Sequence, residues 1–248
     1  TNLNNMMQIF EEFKDYIATG IISIVTGLFS FFAGKRMSDA EVQKAEGSAL
    51  ETIQSVYDKF AADTREKITE LSSEIKKTVG ELGLCGLAVP EKYGGLELDY
   101  SLYSRIFGEI SAIDASIATM LGAHQSIGFR ALLNEGTEAQ KAKWLPRLAS
   151  GEIFAAFCLT EPGSGSDANA AKTKAVLSAD GKHYILNGQK MWITNSGFAD
   201  VFIVFCQIDG DKFSCLIMEK GMEGLTLGAE EAKMGIKGSS TRQVFLEN

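Results

Sequence analysis

The amino-acid sequence predicts an α+β protein in which an all-helical N-terminal domain is followed by an antiparallel β-barrel middle domain. Up to about Ser150, apolar residues recur every three or four positions, as they do along the buried face of a helix. From Gly151 the chain consists instead of short runs rich in Val, Ile, Phe and Thr, separated by turn residues. Short strands at this spacing are typical of antiparallel barrels and sandwiches. We therefore divide the chain into an apolar N-terminal segment (1–37), a helical domain (38–152) and a β domain (153–248).

The first segment contains a stretch without charged residues, Ile17–Gly34. As a helix it would be about 27 Å long, slightly short of the hydrocarbon core of a bilayer. Glu11, Glu12 and Asp15 precede it and Lys35-Arg36 follow, whereas a secretory signal would place its basic residues first. Three interpretations stay open: a segment that lies on or spans a membrane, a helix buried against the fold or a partner, and the end of a processed targeting region.

Five amphipathic helices are predicted in the helical domain from their apolar repeats. They occupy Leu50–Phe60, Ile68–Leu82, Leu102–Ile113, Ile117–Leu132 and the segment that begins at Thr137. Asp63 and Glu66 form a predicted capping box ahead of the second helix, and Thr137 with Gln140 caps the fifth. Pro146 is expected to end or kink that last helix, because proline removes a backbone donor.

The β domain contains seven predicted strands, bounded by turn residues such as Asp180-Gly181 and Asp209-Gly210. They are Ile153–Thr160, Lys172–Leu177, His183–Asn187, Gln189–Thr194, Val201–Gln207, Lys212–Met218 and Gln243–Leu246.

Charge and cysteine content exclude several classes of function. The formal net charge of −8 argues against a nucleic-acid partner, which would need a clustered basic face. The four cysteines form no CxxC pair, and the two histidines, His124 and His183, belong to no HExxH pattern. We therefore expect no metal site, and reduced, buried thiols.

Two segments of the β domain suggest a binding site. Pro162–Asp167 combines a proline-fixed turn with a Gly/Ser run whose backbone N–H groups are suited to face an anion. Trp192 and Thr194 lie two positions apart in a predicted strand, so their side chains share one face. An indole beside a hydroxyl suits a flat ring with polar edges. Since the chain has neither a GxGxxG fingerprint nor a P-loop, a nicotinamide cofactor or ATP is disfavoured, and these residues point to a flavin nucleotide.

Other polar residues have ordinary explanations. Glu161 resembles a general base, but a solvated carboxylate that stabilises the turn is the favoured interpretation. His124 lies on an apolar helical repeat, which favours an interior histidine with satisfied hydrogen bonds. Ser164 and Ser166 have no His and Asp partners in a triad pattern, so a serine hydrolase is not supported.

Three ordered motifs, Thr160–Asp167, Leu186–Asn195 and Lys233–Thr241, resemble those of the acyl-CoA dehydrogenases. Leu121–Gly128 and Phe154–Leu159 are most similar to the very-long-chain, mitochondrial subgroup. The resemblance covers the chain from about Ser48 to its last residue. It implies a helical N-terminal domain, a β-barrel middle domain and a C-terminal four-helix bundle, the last of which is absent from this sequence.

The resemblance also implies a function: FAD-dependent α,β-dehydrogenation of long-chain or very-long-chain acyl-CoA thioesters in fatty-acid β-oxidation. Electrons would pass to an electron-transferring flavoprotein. The implied FAD-binding residues are Phe157, Cys158, Leu159, Thr160, Gly165, Ser166, Trp192, Ile193 and Thr194. Ser166 would also meet the acyl-CoA substrate, and Thr194 would bond near the reacting N5 of the flavin. A homodimer or homotetramer is implied, located in the mitochondrial matrix or at the inner membrane.

The absent bundle carries the family's catalytic glutamate, so no catalytic residue is assigned in this sequence. We expect these residues alone to be inactive and to hold FAD weakly or not at all. Two other functions stay open: an acyl-CoA oxidase, and a non-catalytic assembly or scaffold protein with the same fold. The sequence does not indicate the acyl chain length.

Overall fold

The computed structural model describes residues 73–210 and 212–247, together with scattered positions between 51 and 71. The apolar stretch Ile17–Gly34, the segment 1–37 and most of the predicted helix Leu50–Phe60 lie outside the described residues. Asp63 and Glu66 are described and both are helical, so the predicted capping box at Asp63 is wrong, because an N-cap residue has non-helical backbone. The chain divides into two compact units, 1–73 and 74–248, and the β-sheet lies entirely within the second. In the described part of the chain, no helix has the length and apolarity needed to cross a membrane.

The second unit begins with helices. A helix through residues 74–81 is followed by a short 3₁₀ turn, Glu91–Tyr93. The remaining helical elements are α1 (Tyr100–Ile113), α2 (Ala115–Gly122), a π-helical turn (Ala123–Gly128), α3 (Arg130–Glu135) and α4 (Glu138–Ala149). The helix predicted over Ile117–Leu132 is thus three elements, and the break includes Gly128, where a side chain would collide with the carbonyl oxygen of Ala123.

Side-chain caps set where the helices begin. Asp99 caps α1 and Asp114 caps α2, each accepting two backbone N–H groups. The predicted capping box of Thr137 and Gln140 at the start of α4 is confirmed. Pro146 does not end α4, which continues to Ala149. The proline removes one donor, while the fully buried Leu145 and Leu148 on either side of it hold the last turn against the core.

Seven strands form one sheet. They are β1 (Ala155–Cys158), β2 (Lys174–Leu177), β3 (Tyr184–Thr194), β4 (Val201–Ile208), β5 (Lys212–Glu219), β6 (Leu225–Glu230) and β7 (Thr241–Leu246). Their order is β1-β4-β2-β3-β7-β6, and β5 pairs with β4. The two strands predicted at His183–Asn187 and Gln189–Thr194 are the single strand β3, because Gly188 stays paired with Leu246. Strand β6 was not predicted.

The prediction of an antiparallel barrel is wrong, because the sheet is mixed and open. Both β1 and β2 run parallel to β4, with Ala155 opposite Val201 and Lys174 opposite Gln207. The other pairs are antiparallel. The alternation of apolar residues reports which face a strand buries but not the direction of its neighbour. Strands β1 and β2 each reach β4 through long connections, which leave both directions available.

The core lies on both faces of β1 and β4. On one face Ala155 and Ile203 pack with Phe129, Leu145 and Leu148 from the helical elements. The opposite face is closed by residues of five strands and the turn after β3, among them Ala156, Cys158, Phe202, Val204 and Val244. Each fully buried Leu or Phe contributes about 1.5–3 kcal/mol relative to an exposed side chain. The carboxyl end of β1 and the end of β3 therefore emerge from a rigid support, and the candidate site is built on these two ends.

Candidate functional site

The turn that follows β1 is closed by its own backbone. The N–H of Glu161 donates to the carbonyl of Ser164 at 2.9 Å, and the N–H of Ser164 donates back at 3.1 Å. The Ser164 hydroxyl donates to the carbonyl of Asp167 at 2.6 Å. Pro162 fixes the backbone conformation between Glu161 and Ser164. Ser164 is therefore a buried structural residue, whereas Gly165 and Ser166 lie exposed on the outside of the turn.

The outer side of this turn presents unused donors. Within the described residues, the backbone N–H groups of Gly165 and Ser166 donate to no protein acceptor. The space that a side chain would fill at Gly163 or Gly165 contains no other atom within 4 Å. Consecutive free N–H groups at an open turn suit the oxygens of an anionic group such as phosphate.

The end of β3 lies directly against the end of β1. The N–H of Met191 donates to the carbonyl of Thr160 at 2.9 Å. The register with β7 shifts between Lys190 and Ile193, so β3 carries a bulge there. Trp192 lies in the bulge with φ of 56°, and 61% of its surface is exposed. The bulge thus turns the indole out of the sheet. Thr160 lies beside the bulge, because its carbonyl accepts the N–H of Met191, the residue before Trp192.

A buried ion pair connects the same two ends. Lys190 Nζ lies 2.7 Å from Glu161 Oε1 and donates to the carbonyl of Leu159 at 3.1 Å. Glu161 also accepts the backbone N–H groups of Lys172 and Thr173, at 2.6 and 3.1 Å. Burial by itself raises the pKa of Glu161, but the hydrogen bonds from Lys190 and from residues 172 and 173 outweigh it and hold the pKa below its usual range.

The expectation of a solvated Glu161 is therefore wrong in one respect. The carboxylate stabilises the turn, as predicted, but only 6% of the residue is exposed and it is paired with Lys190. Lys190 was not singled out from the sequence. A signal for it existed, because the period-two alternation of β3 places Lys190 on the buried side with Leu186, and a buried ammonium requires a carboxylate.

The nine predicted flavin-binding residues divide into three groups by exposure. Gly165, Ser166 and Trp192 are exposed; Phe157, Leu159, Thr160 and Thr194 are half-buried; Cys158 and Ile193 are buried in the core. The ring of Phe157 packs against that of Phe205, with centroids 4.9 Å apart. Burial raises the pKa of the Cys158 thiol to about 12. Cys158 and Ile193 are therefore available to a ligand through their backbone alone.

Asn195 fixes the chain after Thr194 and was also missed. Its backbone has φ of 69°, and its N–H donates to the carbonyl of Ser240 at 2.9 Å. Its side-chain amide donates to the carbonyls of Met120 and Ala155, at 2.9 and 3.3 Å. Asparagine tolerates left-handed backbone better than other residues with side chains. The turn that positions Thr194 is thus tied to the helices and to β1.

His124 is an interior histidine, as predicted. Its Nδ1 accepts the N–H of Ala155 at 3.0 Å, and its Nε2 lies 2.9 Å from the carbonyl of Leu148, to which it donates. Burial lowers its pKa from 6.5 to about 4. A neutral imidazole with both nitrogens engaged has no proton to exchange with a ligand. Among the described residues, no group of three His, Cys, Asp or Glu side chains is placed to hold a metal ion.

Comparison with known proteins gives two family matches. Residues 40–152 match the acyl-CoA dehydrogenase N-terminal domain, and residues 156–248 match the acyl-CoA dehydrogenase middle domain. A probable acyl-CoA dehydrogenase of Bacillus subtilis is 54% identical over 178 residues, which cover 72% of this chain and 30% of that protein. The human very long-chain specific mitochondrial enzyme is 45% identical over 204 residues, covering 79% of this chain and 31% of that protein.

Among solved structures, an acyl-CoA dehydrogenase of Bacillus anthracis complexed with FAD matches with a TM-score of 0.67 and 54% identity. The match covers 69% of this chain and 29% of that one. The chain thus spans about a third of the length of the Bacillus subtilis and human relatives. The similarity expected from the sequence motifs, including that to very-long-chain enzymes, is confirmed.

The predicted mitochondrial location is wrong. Proteins of two Bacillus species are 54% identical to this chain, whereas the mitochondrial human relative is 45% identical. These relatives indicate a bacterial, non-mitochondrial protein. Resemblance to the mitochondrial subgroup did not locate the protein, because a bacterial relative is more similar to this chain than the human mitochondrial enzyme is.

Proposed function

Because this chain belongs to the acyl-CoA dehydrogenase family, we propose that it forms part of a flavoenzyme that introduces a double bond between Cα and Cβ of an acyl-CoA thioester. The observation that carries the proposal is the meeting of the ends of β1 and β3, where Met191 joins Thr160 and the indole of Trp192 is turned outward. The FAD bound by the Bacillus anthracis relative supports the choice of cofactor.

The residues present fit FAD. The free N–H groups of Gly165 and Ser166 suit the diphosphate, and the glycines leave the space around them open. The exposed indole of Trp192 suits the face of the isoalloxazine ring. The half-buried Thr194, two positions later, and Thr160, whose carbonyl accepts the N–H of Met191, suit its polar edge. Cys158 and Ile193 would contribute backbone groups, because their side chains are buried in the core. Ser166 would also contact the thioester substrate.

When bound, FAD would supply the acceptor for the hydride that leaves Cβ. The α-proton needs a base, and Glu161 is unsuited to that role because its carboxylate is buried and saturated by the Lys190 ammonium and two backbone N–H groups. Its lowered pKa also makes it a weak base. His124 is equally unsuited, since both of its ring nitrogens are engaged. We therefore propose that the base is supplied from outside these 248 residues, by the C-terminal bundle that the family resemblance implies.

We further propose long-chain or very-long-chain acyl-CoA as the substrate class, within fatty-acid β-oxidation. The 45% identity to the human very long-chain enzyme supports this choice. An electron-transferring flavoprotein is the proposed electron acceptor, and a homodimer or homotetramer the proposed assembly. We also propose that residues 38–152 and 153–248 form two domains, and all nine candidate FAD-binding residues lie in the second.

Titration of FAD into the purified 248-residue chain tests the cofactor proposal. We expect weak binding that quenches the fluorescence of Trp192, because Trp192 is the exposed one of the two tryptophans. The matched control is Trp144→Phe, which removes the buried tryptophan and is expected to leave the quenching by FAD in place. Quenching that survives Trp192→Phe but disappears in Trp144→Phe would contradict the site.

Addition of palmitoyl-CoA or butyryl-CoA to the FAD-loaded chain under anaerobic conditions tests the assignment of the base. We expect no bleaching of the flavin absorbance with either thioester. A yellow preparation that bleaches within the dead time of manual mixing would show that the base lies within these residues.

A further inference from the structure

Lys190 is a fully buried cation in the middle of the candidate site. Its side chain has no exposed surface, and its ammonium contacts Glu161 and the carbonyl of Leu159. Taking two charges out of water is costly, and replacement of such a pair by apolar residues is often neutral or stabilising. Stability alone is therefore a poor explanation for this pair, and its surroundings suggest another.

The pair sits beside a strained residue. Trp192 adopts φ of 56°, a conformation that is unusual and strained for a bulky residue. Such strain persists when the surrounding contacts over-determine the backbone. Two contacts hold the segment just before Trp192: the Lys190 ammonium on Leu159 and Glu161, and the N–H of Met191 on Thr160. Together they tie the bulge to three consecutive residues after β1, Leu159, Thr160 and Glu161.

We propose that Lys190 and Glu161 are positioning residues that hold the β3 bulge in its strained form and thereby aim the Trp192 indole out of the sheet. The inference rests on the proposed function only for the identity of the ligand that the indole meets. Because the two charges neutralise each other, the bulge is held without placing a net charge beside the bound group.

The two partners are not equivalent. If Lys190 is replaced by Met, Glu161 keeps the backbone N–H groups of Lys172 and Thr173. If Glu161 is replaced by Gln, the buried ammonium loses its only carboxylate among the described residues. We therefore test Lys190→Met, which has a similar volume, and the double variant Glu161→Gln/Lys190→Met, which leaves no unpaired charge.

A second lysine offers a matched control. Lys76 Nζ lies 3.3 Å from Asp200 Oδ2 and donates to the carbonyl of Phe198 at 3.3 Å. It therefore bridges a carboxylate and a backbone carbonyl, as Lys190 does, but its partners lie in the turn after β3, six and eight residues beyond Trp192. Lys76→Met reports the effect of losing such a bridge on stability alone.

The experiment is ¹⁹F NMR of the 248-residue chain labelled with 5-fluorotryptophan, which gives one resonance each for Trp144 and Trp192. We expect Lys190→Met and the double variant to shift or broaden the Trp192 resonance while the Trp144 resonance stays in place. Lys76→Met should leave both resonances unchanged, even where thermal unfolding shows a lower Tm. An unchanged Trp192 resonance in both variants at the bulge would overturn the proposal.

FAD titration of the same samples separates this proposal from the proposed function. We expect Lys190→Met to weaken FAD binding by about tenfold relative to Lys76→Met, which is the effect of about one hydrogen bond. If the Trp192 resonance changes but all variants bind FAD as the wild type does, the proposal that the position of the indole affects FAD binding is overturned. If the wild-type chain binds no FAD while that resonance responds, the positioning role stands and the proposal that these residues bind FAD by themselves fails.

Discussion

The stability of this unit should depend on pH through His124. Its imidazole is fully buried and neutral, with Nδ1 accepting from Ala155 and Nε2 donating to Leu148. Burial lowers its pKa from 6.5 to about 4 in the folded state. Between these values the unfolded chain binds a proton that the folded chain does not, so the free energy of unfolding decreases as the pH falls. The contribution is fully present above pH 6.5 and lost as the pH falls towards 4.

The difference between 6.5 and about 4, at about 1.4 kcal/mol for each pH unit, gives a loss of about 3 kcal/mol from this one group. Urea unfolding at several pH values between 7.5 and 4.5 measures it. The reference is His124→Gln, whose amide has a donor and an acceptor at similar reach but does not titrate. We expect the variant to be less stable at pH 7.5 and its difference from the wild type to narrow steadily below pH 6.5.

Parallel pH profiles of the wild type and His124→Gln would refute this reasoning, because they would show that His124 binds no extra proton on unfolding. A single substitution suffices, since the other histidine of the chain, His183, is exposed.

Three further predictions concern packing and strain. Gly188→Ala should lower the free energy of unfolding, measured with urea, by about 1–3 kcal/mol, because the added Cβ would collide with the Thr173 side chain. Gly165→Ala is the control, because no atom lies within 4 Å of the Cβ that it adds. Leu148→Ala should cost about 2–5 kcal/mol by the same measurement, since Leu148 is fully buried, and a cost below about 1 kcal/mol would contradict the described core. Trp192→Gly should raise the Tm, because glycine relieves the positive φ, while it weakens FAD binding; a lower Tm would argue against strain at the bulge.

Much of the local structure followed from the sequence. The capping box of Thr137 and Gln140 was predicted from residue types three positions apart, and it forms as expected. The change from helices to strands near Ser150 is also confirmed. These features are decided by contacts within a few residues or by the alternation of apolar side chains, so their signals are present in any short window of the sequence.

The candidate site could be predicted from the sequence only in part. The motifs led to the ends of β1 and β3 and to Trp192, but they missed Lys190 and Asn195 and assigned Glu161 to solvent. The buried lysine had a signal in the alternation of β3. Its partner had none, because Glu161 lies 29 positions earlier and reaches Lys190 only once the two strand ends meet.

The sequence by itself determined several of the helices, most of the strands and the family, and it led to candidate residues for a flavin site. Tertiary structure alone decided that β1 and β2 run parallel to β4, that the sheet stays open, and that a bulge turns Trp192 outward. The physical reason is the distance along the chain between the residues that decide each feature. Periodicity and caps are local, whereas strand direction, a register shift and a buried ion pair depend on which distant segments come together and on the free energy of all their contacts at once.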